Sequence, residues 1–187
     1  MKYSDLEYGL IGEKLGHSWS REIRQKLSSR PYDLCEVPKG ELDLFFRQSS
    51  FRGINVTIPY KQAVIPYLDS ISPVAESVGS VNTIVRKKEG LLYGHNTDYI
   101  GFDSLAKHAD IALSGKNILI FGNGGTAKTV SAVTLAAGAK SVTFAVRQVR
   151  GEDQVLISDL ERDPQLRNKQ QIIVNATPVG TSPDDEE

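Results

Sequence analysis

Short apolar segments alternate with amphipathic ones along the first half of the chain. Residues 8–12 and 53–58 are apolar runs bounded by glycine or proline, which is typical of β-strands. Residues 20–27 carry Ile23 and Leu27 four positions apart, on one face of a helix. The same criteria predict strand 32–37, helices 41–48 and 61–68, and a hairpin of 80–85 and 90–94.

The pattern changes near residue 100. An apolar strand begins at Lys116, and a glycine-rich loop and an alanine-rich helix, 126–137, follow it. Strands 141–146 and 171–174 come next, so that buried strands alternate with helices, as in a parallel sheet. The predicted fold class is therefore α/β. We expect one domain over 1–101 and a second, Rossmann-like domain over 102–187, joined by a helix at 102–108.

Composition excludes several classes of protein. Lys and Arg total 22 and Asp and Glu 23, so the net charge of −1 gives no basis for a nucleic-acid or membrane partner. No apolar run reaches the roughly 20 residues of a membrane span, and the first residues lack the apolar core of a signal peptide. The single cysteine, Cys35, fits a reducing cytoplasm.

The glycine-rich loop predicts a dinucleotide site. It follows a strand and opens a helix, so backbone N–H groups and the helix N-terminus can meet a pyrophosphate. Ala127 replaces the last glycine of the strict G-x-G-x-x-G pattern, and a bare tight turn is the alternative interpretation. The candidate cofactor residues of this loop are Gly122, Asn123, Gly124, Gly125, Thr126 and Ala127.

The end of the second strand of this domain bears on the choice of cofactor. An acidic residue there favours NAD, whereas arginine accommodates the 2′-phosphate of NADP. Arg147 ends the strand and Arg150 follows closely, which favours NADP and leaves NAD possible. Two solvated arginines at a strand end are the alternative.

Polar side chains in the first half lie at predicted strand ends and turns, where fixed donors and acceptors suit a small polyhydroxylated molecule. They fall in segments 18–20, 55–61, 81–83 and 96–98. Singly, each has a structural explanation: Ser18 or Ser20 as a helix cap, Asp98 in a turn or cap, and Lys61 on the surface. The histidines His17, His95 and His108 are scattered, and no cluster predicts a metal site.

Taken together, these segments resemble the shikimate dehydrogenase family, which also contains quinate/shikimate dehydrogenases. The match rests on ordered motifs over nearly the whole chain. They are GHSWS (16–20), GINVTIPYK (53–61), GSVNTI (79–84), GHNTDYIGF (94–102), GNGGTAK (122–128) and NATPVG (175–180).

The resemblance implies an N-terminal α/β domain that binds shikimate, a Rossmann-like NADP domain, and residue roles. Ser18 and Ser20 would hold the substrate carboxylate, and Lys61 and Asp98 would be the catalytic pair. The remaining implied contacts to the ring hydroxyls are Thr57 and Asn82, together with Lys61 and Asp98 themselves. Asn175, Thr177 and Pro178 would lie along the cofactor.

The chemistry of such a reduction can be argued directly. Reducing a ring ketone to an alcohol needs a hydride on carbon, from the cofactor, and a proton on oxygen. A lysine beside the developing alkoxide stabilises it and passes on a proton, and an adjacent carboxylate orients that lysine. Lys61 and Asp98 form such a pair only if the fold brings them together, which is implied by the resemblance.

Three departures from the family pattern stand out. Arg21 follows Ser20 where the family has proline, and Thr181 stands where the family has methionine beside the nicotinamide. The chain also stops shortly after the motif at 175–180, in an acidic tail, whereas family members are longer. We therefore expect the cofactor domain to be incomplete at its C-terminus, with an unpaired sheet edge after three strands.

The sequence thus predicts NADP-dependent interconversion of 3-dehydroshikimate and shikimate in the cytoplasm, by a monomer or a homodimer. One alternative is oxidation of quinate or shikimate with NAD. Another is a non-catalytic ligand-binding or regulatory module of the same fold, and the retained pair Lys61 and Asp98 argues against it.

Overall fold

The structure is a computed structural model that describes residues 3–16 and 18–180. His17, Thr181 and the acidic tail, about which the sequence raised expectations, lie outside these residues. The described chain separates into two compact units, with the boundary along the chain between Thr97 and Asp98. No helix in the described ranges is long and apolar enough to cross a membrane.

A six-stranded mixed sheet forms the first unit. The strands are β1 (Tyr8–Gly12), β2 (Asp33–Glu36), β3 (Gly53–Val56), β4 (Ser70–Ile71), β5 (Thr83–Arg86) and β6 (Leu92–His95). Their order in the sheet is β2-β1-β3-β5-β6-β4. β1–β2, β1–β3 and β4–β6 pair in parallel, whereas β3–β5 and β5–β6 pair antiparallel. The helices are α1 (Ser20–Leu27), α2 (Leu42–Gln48) and α3 (Pro73–Val78).

The main core of this unit lies on one face of the sheet. Ile11, Ile54, Val56 and Ile84 point to the same side and pack into a cluster that includes Phe45 of α2. Alternation along each strand places these residues on a single face, as the period of two requires. The stacked ring of Phe51, at 5.9 Å from that of Phe45, closes the cluster.

Two local predictions for the first unit have different outcomes. The predicted hairpin is confirmed, since β5 and β6 pair antiparallel, with Thr83 opposite His95. The helix predicted over 61–68 is wrong: a turn precedes only a short 3-10 helix, Ile65–Tyr67. Pro66 has no N–H to donate along an α-helix, and its ring clashes with the preceding turn.

The second unit contains a four-stranded sheet that is parallel throughout. Its strands are β7 (Asn117–Phe121), β8 (Ser141–Val146), β9 (Gln154–Leu156) and β10 (Ile172–Asn175), in the order β10-β7-β8-β9. Its helices are α4 (Thr97–His108), which begins at the boundary, α5 (Gly125–Ala136), α6 (Ile157–Arg162) and α7 (Pro164–Asn168). The expectation of three strands in this domain was wrong, because β9 is a fourth strand. With three residues, β9 is too short to show a recognisable pattern of apolar residues.

Hydrophobic clusters cover both faces of this parallel sheet. Ile118 and Ile120 belong to a cluster with Ala127 and Val130 of α5, and Leu119 belongs to the opposite one with Leu160 of α6. All three strand residues are at most 2% exposed. Burial on both faces is what a continuous apolar strand predicts, and the α/β class predicted from the sequence is confirmed.

Candidate active site

The candidate substrate residues of the first unit lie near the ends of β1 and β3. A Cβ on Gly12 would lie 2.7 Å from the Thr57 methyl carbon, so glycine is required for these two strand ends to approach. The Thr57 N–H donates to the carbonyl of Ile11, 2.9 Å away, which continues the pairing of the strands. Thr57 is half-buried at this junction.

Ser18 and Ser20 lie at the start of α1, after the loop that leaves β1. Ser20 is the first helical residue, and its N–H donates to the Ser18 hydroxyl at 3.3 Å. No side chain caps the helix at Trp19, so neither serine is the conventional cap. Both serines are half-buried, and the structure places them together.

Lys61 lies in the turn that follows β3, and its backbone is tied to the segment that carries Asn82. The Val81 N–H donates to the Lys61 carbonyl at 2.7 Å, one residue before Asn82. Tyr60, directly before the lysine, is buried and donates its hydroxyl hydrogen to the carbonyl of Val37 at 2.6 Å. These bonds fix the backbone of Lys61 beside that of Asn82 within the first unit.

Burial raises the pKa of the Tyr60 phenol above its ordinary value, and the nearby Glu13 carboxylate raises it further. The phenol therefore stays neutral at physiological pH and keeps its hydrogen bond.

Asn82 is buried and is held by several hydrogen bonds. It is 7% exposed, and its Oδ1 accepts from the Thr97 N–H at 2.9 Å and from the Thr83 hydroxyl at 3.0 Å. Its Nδ2 donates to the Thr97 hydroxyl at 3.0 Å. Asp98 is the next residue along the chain after Thr97, in the first turn of α4, and it is half-buried.

In the second unit, the glycine-rich loop occupies the point where strand order reverses. β7 has β8 on one side and β10 on the other, and all strands run in the same direction. In open α/β sheets, ligands bind at this switch point, outside the carboxyl ends of the strands. The loop 122–124 leaves β7 at that point and leads directly into α5.

Gly122 is required by two independent features of the loop. Its φ of 97° is in the left-handed region, and a Cβ there would lie 3.1 Å from the Ala176 carbonyl oxygen. Gly124 stands at the N-cap of α5, which no side chain caps. The first N–H groups of the helix are therefore left to a ligand or to water.

Other loop residues have different surroundings. Asn123, Gly124 and Thr126 are exposed, whereas Ala127 is 0% exposed in the core under α5. A methyl group at 127 thus serves helix–strand packing, the role of the last glycine in the standard pattern. A contact from Ala127 to a cofactor would use its backbone only.

The segment after β10 forms a compact turn beside Gly122. The Asn175 Oδ1 accepts from the N–H of Thr177 at 3.0 Å and from its hydroxyl at 2.7 Å. The Asn175 Nδ2 donates to the Val179 carbonyl at 3.0 Å, and Pro178 is exposed within the turn. The Ala176 N–H donates to the Phe121 carbonyl, so the turn lies beside the glycine loop at the switch point, where open α/β sheets have their ligand crevice.

Arg147 and Arg150 follow the carboxyl end of β8, the strand next to β7, and both are exposed. Arg150 donates to the Gln148 side chain at 3.1 Å. A dinucleotide with its pyrophosphate on α5 would extend its adenosine ribose toward this strand end. The residues of the second unit therefore fit a dinucleotide, with two exposed arginines after the strand next to the glycine-rich loop.

No group of three or more His, Cys, Asp or Glu side chains that could hold a metal ion occurs within the described ranges. His95, which the sequence left without a role, pairs with the Ser72 hydroxyl at 2.6 Å.

Sequence reasoning gave no individual role to four residues of the hydrogen-bond network around Asn82. Asn55, Thr83 and Thr97, which lie in the polar segments named above, bond to Asn82 directly. Tyr32, which lies outside those segments, bonds to Asn55. The available signal was a polar residue, Asn55, within an otherwise apolar strand. Its partners depend on the register of β3 and β5, which the sequence pattern does not give.

Comparison with known proteins agrees with this arrangement. A family model described as the shikimate dehydrogenase substrate binding domain matches residues 10–84. The NADP(+) shikimate dehydrogenase of Clostridium beijerinckii is 38% identical over 189 residues, which cover 94% of this chain and 69% of that protein. The chain belongs to the shikimate dehydrogenase family.

Solved structures of the family have the same fold. Shikimate dehydrogenase 1 of Peptoclostridium difficile matches with a TM-score of 0.82 and 35% identity, over 95% of this chain and 69% of that one. A shikimate 5-dehydrogenase of Thermus thermophilus in complex with NADP(H) and shikimate matches with a TM-score of 0.75 and 31% identity. That match covers 94% of this chain and 69% of the Thermus chain.

Proposed function

We propose that the chain is an NADP-dependent shikimate dehydrogenase, which reversibly reduces 3-dehydroshikimate to shikimate. The first predicted domain, 1–101, holds the small-molecule substrate, and the second, 102–187, holds the cofactor. The observation that carries the proposal is the switch-point crevice of a family member, with Gly122 on one side and the turn at Asn175 on the other. We place the enzyme in the cytoplasm, where its single cysteine stays reduced.

Bound NADPH supplies the hydride that reduces the ring carbonyl carbon. Lys61 donates the proton that the carbonyl oxygen takes up, and Asp98 orients the lysine amine. In the oxidative direction Lys61 accepts the proton of the shikimate hydroxyl. Ser18 and Ser20 bind the carboxylate, and Thr57 and Asn82 bind ring hydroxyls.

Cofactor contacts divide between backbone and side chains. The N–H groups at 123–127 bind the pyrophosphate at the start of α5, where the helix dipole favours negative charge. Arg147 and Arg150 bind the 2′-phosphate of NADP, which NAD lacks. Asn175, Thr177 and Pro178 line the opposite wall of the crevice.

The decisive experiment compares turnover of the unaltered chain with that of Lys61→Gln. Loss of a general acid–base group costs about 10²- to 10⁴-fold in rate, so we expect kcat to fall in that range. Shikimate affinity should change much less, because substrate contacts other than Lys61 remain. Lys88→Gln, at an exposed position of the β5–β6 turn, is the matched control and should leave kcat unchanged.

Turnover by Lys61→Gln at the rate of the control would overturn the role of Lys61. Tight shikimate binding with no turnover by the unaltered chain would favour a non-catalytic binding module instead.

A further inference from the structure

The hydrogen bonds around Asn82 have a direction that the protein alone determines. The Thr97 N–H can only donate, so the Asn82 atom that faces it at 2.9 Å is Oδ1. Nδ2 then faces the Thr97 hydroxyl at 3.0 Å. This assignment does not depend on any ligand.

The orientation of Asn55 is fixed in the same way. Its Nδ2 faces the backbone carbonyl of Asn82, which can only accept, at 3.4 Å. The same Nδ2 donates to the Thr83 hydroxyl oxygen at 3.1 Å. Its Oδ1 is therefore the atom that accepts from the Tyr32 hydroxyl, at 2.8 Å.

These hydrogen bonds form one continuous series in which each residue donates to the next. Tyr32 donates to Asn55, Asn55 donates to Thr83, and the Thr83 hydroxyl donates to the Asn82 Oδ1 at 3.0 Å. Each hydroxyl has one hydrogen, so no member can reverse without breaking a bond at its neighbour. Hydrogen bonds in such a chain strengthen one another in a low-dielectric surrounding.

This series of hydrogen bonds determines which polar atoms of Asn82 remain for a ligand. Its Oδ1 accepts from the Thr83 hydroxyl and the Thr97 N–H, and the Thr97 hydroxyl also lies within donor distance of it, at 3.2 Å. One hydrogen of Nδ2 goes to the oxygen of the Thr97 hydroxyl. Among the bonds that the described residues make, the second hydrogen of Nδ2 is the polar group of this side chain that remains. Asn82 is thus prepared to act as a donor and not as an acceptor.

We propose that Tyr32, Asn55 and Thr83 are positioning residues that hold Asn82 as a hydrogen-bond donor to an oxygen of the substrate. This inference rests on the proposed function for the identity of the substrate. Tyr32 is the outer end of this series of hydrogen bonds; it is 9% exposed and directly precedes β2. Burial raises the pKa of the Tyr32 phenol, and the nearby Arg24 lowers it by a smaller amount.

Three variants test the relay, that is, the series of hydrogen bonds from Tyr32 through Asn55 and Thr83 to Asn82. Thr83→Val removes the hydroxyl but keeps a β-branched side chain that suits a strand. Thr83→Ser restores the hydroxyl, and Tyr32→Phe removes the first donor. Tyr93→Phe is the matched control, because Tyr93 is half-buried on the same sheet and its ring contacts Lys87.

We expect Thr83→Val and Tyr32→Phe to raise the KM for shikimate about threefold to tenfold, the value of one hydrogen bond. kcat and the KM for NADP should change much less. Thr83→Ser and Tyr93→Phe should behave like the unaltered chain. A purely structural role would instead lower the melting temperature without this split between KM and kcat.

A second readout needs no turnover. The side-chain amide signals of Asn82 in the NMR spectrum of the ligand-free protein should shift in Thr83→Val and in Tyr32→Phe, and stay in place in Thr83→Ser. Unmoved Asn82 signals with unchanged shikimate affinity, measured by calorimetry, would overturn the relay. Should Thr83→Val fail to fold, Tyr32→Phe decides the question alone. Absence of shikimate turnover by the unaltered chain would overturn the proposed function and leave the NMR test of the relay intact.

Discussion

The two units carry candidate sites that are specified in opposite ways. In the first, side chains define the site: Asn82 is held on several sides by named donors and acceptors. In the second, the absence of side chains defines it, since Gly122 lies against the Ala176 carbonyl and Gly124 leaves α5 uncapped. A polyhydroxylated ring needs individually placed donors, whereas a pyrophosphate needs close approach to backbone N–H groups.

The difference predicts where each site is fragile. The substrate site should fail when one polar atom changes, with the backbone intact. The cofactor site should fail when one carbon atom is added, with no polar group lost.

The largest expected effect is that of Gly122→Ala. A positive φ costs a non-glycine residue about 1–2 kcal/mol, and the approach to the Ala176 oxygen adds to this. We expect the free energy of unfolding to fall by about 2–3 kcal/mol. NADP affinity should fall about tenfold to hundredfold, the value of one hydrogen bond to a charged group.

Denaturant unfolding and calorimetric titration with NADP measure these two effects. Gly115→Ala is the control, because Gly115 also has a positive φ, 71°, but a Cβ there would meet nothing within 4 Å. Equal losses of stability and of NADP affinity in the two variants would show that the backbone at Gly122 is not closely packed against Ala176.

Asn82→Asp makes the corresponding change in the first unit. The carboxylate can still accept from Thr97 and Thr83, so we expect the fold to persist. It presents an acceptor where the amide presented a donor, so shikimate affinity should fall about tenfold to hundredfold. NADP affinity should be unchanged, and a variant that binds shikimate normally would contradict the donor role.

Gly124→Ala separates folding from binding at the cofactor site. The φ of −75° suits any residue, and a Cβ would meet nothing within 4 Å, so stability should change by less than about 0.5 kcal/mol. The added methyl group lies where the backbone approaches the pyrophosphate, and NADP affinity should fall about tenfold. Unchanged affinity would show that the pyrophosphate lies elsewhere.

The smallest expected effect concerns the pH dependence of stability in the first unit. Burial raises the pKa of Tyr60 above its ordinary value of 10.0. The neutral phenol therefore stabilises the fold fully below pH 10.0, and this contribution is lost as pH rises through the folded-state pKa. We expect a loss of about 1 kcal/mol.

Denaturant unfolding at a series of alkaline pH values measures this loss. Tyr60→Phe lacks the ionisable group, so its stability should fall less steeply in the same range. If the free energy of unfolding fell equally steeply with pH in both proteins, the stabilising role of the neutral Tyr60 phenol would be contradicted.

Much of the fold follows from sequence patterns, because the buried strands β7 and β8 and the glycine loop carry strong local signals. The elements that the pattern missed are short, such as β4 and β9, with two and three residues. The roles of Lys61 and Asp98 came from family resemblance and stay predictions.

The relay could not be predicted, since it depends on the register that places Asn55 opposite Thr83, with Tyr32 brought in from the position directly before β2. Such contacts join residues far apart in sequence, and local periodicity carries no information on them.

The most direct test of the proposed function is the initial rate of cofactor reduction by the purified chain, followed by the absorbance of the reduced nicotinamide. Shikimate and quinate are each supplied with NADP and with NAD. The account predicts the highest kcat/KM for shikimate with NADP. Preference for NAD with quinate would contradict the roles of Arg147 and Arg150. No turnover with any pair of substrate and cofactor would contradict the proposed enzymatic activity.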